Sequence, residues 1–126
     1  MQMSSTIEIK KLEKIRSTLI RELLSVTEMI PGAFNQAFRK CGKRNCWCLN
    51  GKGHPFNRII WSEEGKVRTK SIPDEDKVWI KRITEIHREF KGKFREIQKI
   101  DGEVKKLINA FRREVIKHTR VLRKYL

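Results

Sequence analysis

From Trp79 to Tyr125 apolar side chains return every third or fourth residue, through Ile83, Ile86, Phe90, Phe94, Ile97, Val104, Leu107 or Ile108, Phe111, Val115, His118 and Leu122. That spacing draws one stripe along one side of an α-helix, and a stripe this long is buried only against another helix. The N-terminal segment offers one. Leu12, Ile15, Leu19, Leu23, Val26 and Ile30 keep the same period, so a helix is expected from Thr6 to Ile30, capped at Ser4, Ser5 or Thr6 and stopped at Pro31-Gly32.

Pro73-Asp74-Glu75-Asp76 opens the second helix, because proline suits a first turn and carboxylates there complement the positive end of the helix dipole. Its stripe is interrupted at Gly92 and at Asp101-Gly102. Two forms follow. A continuous helix of about fifty residues would run roughly 75 Å, and its C-terminal half would need a partner chain, giving a homodimer. A reversal at Asp101-Gly102 would instead close three helices into one bundle. The heptad register kept from Ile97 to Val104 favours the continuous helix.

Between Ala33 and Ile72 the helical period vanishes and Gly42, Asn45, Asn50, Gly51 and Gly53 crowd together. Short strands fit Pro55 to Trp61 and Lys66 to Ile72, flanking Glu63-Glu64-Gly65, with Lys66, Arg68 and Lys70 sharing one face of a β-hairpin. Phe34 to Arg39 supplies a candidate third strand. The expected fold class is mainly α with a small β insertion: a long antiparallel helical hairpin or coiled coil carrying a zinc-knuckle-like β-hairpin at its tip. Its segments are residues 1–30, 31–72 and 73–126, forming one structural unit.

The only cysteines, Cys41, Cys46 and Cys48, stand close to His54 in this middle segment. Three thiolates and one imidazole are a common structural zinc set, and a site with four protein ligands leaves no position for a catalytic water. Three reduced thiols, a Cys41–Cys46 disulfide and iron–sulfur ligation are the alternatives. Trp47 is expected to cover the site or dock on the helices; base stacking is its other role. Trp61 and Trp79 are expected in the core, and His87 and His118 at packed or solvent-facing helix positions.

Charge is distributed unevenly. Residues 1–30 hold five basic and four acidic groups and residues 73–101 eight and seven, whereas residues 31–72 hold nine and two and residues 102–126 eight and two. The net charge of +15 favours a polyanionic partner, nucleic acid before a membrane surface. With no apolar leader and no long apolar run, the expected location is the cytoplasm and no membrane is involved.

Cys41-Gly42-Lys43, Cys46, Cys48 and His54-Pro55, followed by Gly65-Lys66-Val67-Arg68 and Pro73, resemble an uncharacterised prokaryotic family of small basic proteins. Its members carry a Cys-Gly-Lys-x-x-Cys-x-Cys motif before a histidine, an aromatic-rich strand, a basic strand and a long helix, and are sometimes encoded near transposases. The likeness covers about residues 32–95. The family usually shows His-Gly-Pro followed by tyrosines; here His54 meets Pro55 directly, and Phe56 is followed by Asn57 and Arg58. The resemblance implies a domain of unknown function and no mechanism.

The function expected from the residues is non-catalytic binding of DNA or RNA, with a structural Zn2+ held by Cys41, Cys46, Cys48 and His54. Lys40, Lys43, Arg44, Lys52, Arg58, Arg68 and Lys70 would contact phosphates from the knuckle and hairpin, and Arg112, Arg113, Lys117, Arg120 and Lys124 from the last helix. The alternative is a coiled-coil adaptor or assembly factor working through protein contacts along the stripe from Trp79. Glycine-rich phosphate loops, a Ser-His-Asp set and paired carboxylates in apolar context are all missing from the sequence, so neither an enzyme nor a small-molecule substrate is expected.

Overall fold

The computed structural model of the protein describes residues 4–123. Lys124 and Tyr125, assigned above to a phosphate contact and to the apolar stripe, lie outside the described residues. Two helices flank a three-stranded antiparallel sheet: α1 (Ser4–Leu24), β1 (Ala33–Arg39), β2 (His54–Glu63), β3 (Lys66–Ile72) and α2 (Lys77–Arg123). The chain divides into two compact units, one being Thr27–Glu89 and the other the segments before and after it.

In the first unit the strands stand in the order β1-β2-β3. Glu64-Gly65 joins β2 to β3 beyond the Glu63–Lys66 pair, with φ of 51° and 76°. Positive φ at both central residues is the type I′ geometry, whose twist matches that of the strands it connects. Pairing of Phe34 with Ile59, and of Asn57 with Ile72, puts Phe34, Ile59, Trp61 and Ile72 on one face of the sheet. The start of α2 packs there: Ile80 and Ile83 meet Ile59 in the buried core, with Ile30, Phe34, Trp61 and Ile72 around them. Pro73 and a 3-10 turn, Asp74–Asp76, lead into α2, and the buried Asn57 amide fastens that turn to β2 by donating to the Asp74 carboxylate. A cleft of about 410 Å³ opens beside the core, lined by Ile30, Ile59, Trp61, Ile72 and Ile80 together with Lys70 and Asp76.

Helix α1 ends at Leu24, short of the expected stop at Pro31-Gly32. Ser25 closes its last turn, the hydroxyl donating to the Glu22 carbonyl at 2.7 Å, and the Val26 N–H reaches the Leu23 carbonyl at 3.2 Å. Ile30 keeps the helical phase in sequence but serves the sheet core, its N–H donating to the Ile83 carbonyl at 3.3 Å. Trp79, expected in the core, is 46% exposed, because α2 presents Ile80 and Ile83 to the sheet and so turns Trp79 away.

In the second unit Leu23, Ile97 and Ile100 are buried. Arg16 Nε lies 2.7 Å from Asp101 Oδ1 and Lys93 Nζ 3.1 Å from Glu22 Oε2, so α1 and α2 are linked in opposite chain order. Helix α2 runs unbroken through Asp101-Gly102. Asp101, the polar residue that interrupts the stripe, is the partner of Arg16. Phe94, placed on the stripe by periodicity, is half exposed, and of Leu107 and Ile108 it is Ile108 that faces solvent. No helix among the described residues is long and apolar enough to cross a membrane.

Candidate metal centre and its basic surround

Strands β1 and β2 stay paired as far as Arg39 and His54. Residues 40–53 therefore leave the sheet and return to it at a single rung, and His54, the first residue of β2, stands across from the outgoing chain. Gly53 makes the return feasible. Its φ is 102°, and a Cβ there would lie 2.6 Å from the Arg39 carbonyl carbon and 2.7 Å from its oxygen, so any side chain would collide with backbone. The rest of the loop winds tightly. Cys46 N–H bonds the Lys43 carbonyl at 3.4 Å, and a 3-10 turn, Trp47–Asn50, continues with Leu49 N–H on the Cys46 carbonyl at 3.2 Å.

This winding brings the four predicted ligands together. One donor atom each from Cys41, Cys46, Cys48 and His54 lies within 4.8 Å of all the others. Cys46 Sγ is 3.0 Å from His54 Nε2, and Cys41 Sγ is 3.6 Å from Cys48 Sγ. With metal–sulfur bonds near 2.3 Å and metal–nitrogen bonds near 2.0 Å, the edges of a zinc tetrahedron are about 3.5–3.8 Å. The set is close enough to hold one metal ion and is consistent with zinc. All three cysteines are free thiols, with Cys48 fully buried and Cys41 exposed. The Lys43 backbone N–H, aided by the Cys46 thiol, lowers the Cys41 thiol to about 7. At Cys46 the Cys48 backbone N–H pulls downward, but desolvation and the neighbouring thiols outweigh it and leave this thiol raised.

The basic residues assigned by sequence divide between places. Lys40 Nζ donates to the Leu49 carbonyl at 3.3 Å and so braces the loop, while Lys43, Arg44 and Lys52 are exposed around it. Lys66, Arg68 and Lys70 share one face, as expected; register makes it the face of Ile59 and Trp61 and puts Arg58 on the opposite one. Arg68 is held by Glu63 at 3.3 Å. Arg112, Arg113, Lys117 and Arg120 line a groove of about 530 Å³ on α2 with Ile116 and Val121.

One site residue escaped the sequence reading. Arg39 holds its guanidinium over the Phe56 ring, 4.5 Å from the centroid, on the face that also carries Arg58. The signal was the alternation of β1, usable only once its register on β2 is known. Trp47 sets its ring edge-on to His54, with centroids 4.7 Å apart, yet remains 63% exposed; it borders the site and leaves most of its ring in solvent.

Ion pairing follows the charge segregation. Apart from Arg68–Glu63, each ion pair among the described residues joins a base and a carboxylate from residues 1–30 or 73–101, namely Arg16–Asp101, Arg82–Glu28, Arg88–Glu85 and Lys93–Glu22. Among the described residues, the bases of the metal loop and of the end of α2 join no ion pair.

Residues 9–82 match the family described as a domain of unknown function (DUF6788), well over half of the 126-residue chain. The chain belongs to this family. The DUF6788 match takes in most of α1, the metal loop, the whole sheet and the first turns of α2. An uncharacterised family is what the motif resemblance implied, although the match begins well before residue 32 and ends before residue 95. No curated protein and no solved structure matches the chain.

Proposed function

We propose that this DUF6788 protein is a non-catalytic nucleic-acid-binding protein in which one structural zinc ion, held by Cys41, Cys46, Cys48 and His54, fixes a basic loop. The observation that carries this reading is the set of exposed bases around the metal-ready loop, none of which joins an ion pair among the described residues. Lys43, Arg44, Lys52 and Arg58, with Arg112, Arg113, Lys117 and Arg120, would meet phosphates, each contact releasing counterions. The metal would act by ordering the loop, because four protein ligands complete a zinc tetrahedron. The helices would form the antiparallel hairpin expected from their stripes, and the location would be the cytoplasm.

Electrophoretic retardation of DNA and RNA at two salt concentrations tests the reading. Binding that weakens steeply with salt is expected; failure to bind either nucleic acid at low salt rejects it.

A second reading rests on a separate observation. Ile108, Phe111, Val115, Val121 and Leu122 are 40–69% exposed along the end of α2, which suits an assembly factor or a homodimer. Light scattering separates the readings: a salt-resistant oligomer indifferent to nucleic acid supports the second alone.

A further inference from the structure

Strand β2 alternates its side chains between two faces, and only one of them meets α2. The other carries His54, Phe56, Arg58 and Ile60, with Arg39, Ala37, Asn35 and Ala33 opposite them on β1 and Thr69 and Ser71 on β3. Its occupants do not resemble a solvated polar surface. The Arg39 guanidinium stands over Phe56, its Cζ 4.5 Å from the ring centroid. Arg58 Nε donates to Asn35 Oδ1 at 2.9 Å, which fixes a second guanidinium along the same strand. On β1 the residues directly opposite Phe56 and Ile60 are alanines, which leave room beside them. Beyond His54, at the loop end of the face, the exposed Trp47 ring meets the His54 ring edge-on.

These groups form a row: Trp47, then His54, then Phe56 with Arg39, then Arg58 with Asn35. Alternate residues on a strand recur at about 6.8 Å, so planar groups are presented at regular steps along β2. Duplex DNA keeps its base faces stacked inside, where such groups cannot reach them. Unpaired bases expose their faces and stack on aromatic rings and on arginine planes. Arg39 and Arg58 on this face and Lys43, Arg44 and Lys52 in the loop at its end supply positive charge that complements a phosphate backbone running beside the row.

We propose that this open sheet face, extended by Trp47, is a track for single-stranded nucleic acid, with Trp47 and the Arg39–Phe56 stack as the two base platforms. The proposal rests on the nucleic-acid reading above and narrows it from any polyanion to unpaired strands. Stacking is tolerant of base identity, so weak sequence preference is expected.

Fluorescence anisotropy with labelled single-stranded DNA and RNA, and with the duplex of the same sequence, tests it on the zinc-loaded full chain. The native protein should prefer the single strands by tenfold or more. Trp47→Ala should lower single-strand affinity roughly 5- to 150-fold, the worth of one base stack, while the slope of affinity against salt stays the same because no charge is lost. Trp47→Phe, which keeps a ring, should recover most of the affinity. Arg39→Lys, which keeps the charge without the plane, should weaken single strands with the slope again unchanged. Equal affinity for single strand and duplex, or a Trp47→Ala protein that binds single strands normally, overturns the track and leaves nucleic-acid binding standing. Absence of binding to all three probes overturns the broader reading as well.

Discussion

Removing the metal is expected to unfold residues 40–53 and leave the sheet standing. Ordering that loop in one conformation costs on the order of 15–20 kcal/mol, at rather more than 1 kcal/mol per residue. The loop does little to stabilise itself. Three backbone hydrogen bonds, the Lys40–Leu49 bond and a weak Cys41 N–H contact to Cys48 Sγ contribute together about 5 kcal/mol at about 1 kcal/mol each. Cys48, the loop's buried apolar side chain, adds about 1–2 kcal/mol. A shortfall on the order of 10 kcal/mol remains, comparable to the roughly 10–16 kcal/mol that a structural zinc ion contributes. The assay is amide hydrogen exchange with and without a strong chelator. Leu49 and Gly51 should lose protection on chelation or in Cys48→Ser, while the β2 amides beside Ile59 keep theirs. Protection of Leu49 and Gly51 in protein shown by elemental analysis to be metal-free would refute the reasoning.

Ile83, 1% exposed at the centre of a small core, should cost about 2–5 kcal/mol in urea unfolding when changed to alanine, whereas Phe94→Ala, at a half-exposed site, should cost below about 1 kcal/mol. Equal losses would mean that α2 packs with another face. Glu64→Asn should stabilise the protein by about 0.5–1 kcal/mol, since asparagine tolerates the left-handed φ of 51° better than glutamate does; a lower melting temperature would argue against the type I′ turn. Changing both Arg112 and Arg113 to alanine should reduce the log–log salt slope of duplex binding by about 1.8, or about 1.4 for single strands, and an unchanged slope would remove the end of α2 from the contact.

How much of this was legible in the sequence depends on how local each signal is. The existence of both helices and the strand positions followed from periodicity and turn residues, and the turn at Glu64-Gly65 needed only its immediate neighbours. The end of α1 did not, because Val26 and Ile30 keep a helical phase while Ile30 packs against a core built from Ile59, Ile80 and Ile83, far along the chain. Trp79 failed for a related reason: one residue on a helix is a turn of about 100°, so a stripe read through Trp79 and one read through Ile80 look alike until the partner surface is known. The four ligands were readable because their short intervals confine them to one loop whatever the fold. The Arg39–Phe56 stack was not, since a slip of one residue between β1 and β2 would move Arg39 to the helix-facing side.

Pairing of charge relieves part of the repulsion within a chain of net +15. Like charges oppose compaction, and the cost is greatest where backbone segments pack closely. In residues 1–30 and 73–101 bases are matched almost one for one by carboxylates, and Glu22 and Asp101 each meet a base of the other helix. Such half-exposed pairs add little stability singly, but they remove repulsion from the segments that can least tolerate it. The excess of bases falls on the loop that carries the four candidate metal ligands, on the strands of the small sheet, where Lys66, Arg68 and Lys70 are exposed, and on the last turns of α2, whose apolar residues are themselves largely exposed. The excess positive charge of this DUF6788 protein therefore stands largely on solvent-facing side chains, where repulsion destabilises the fold least and where a polyanion gains most by approaching.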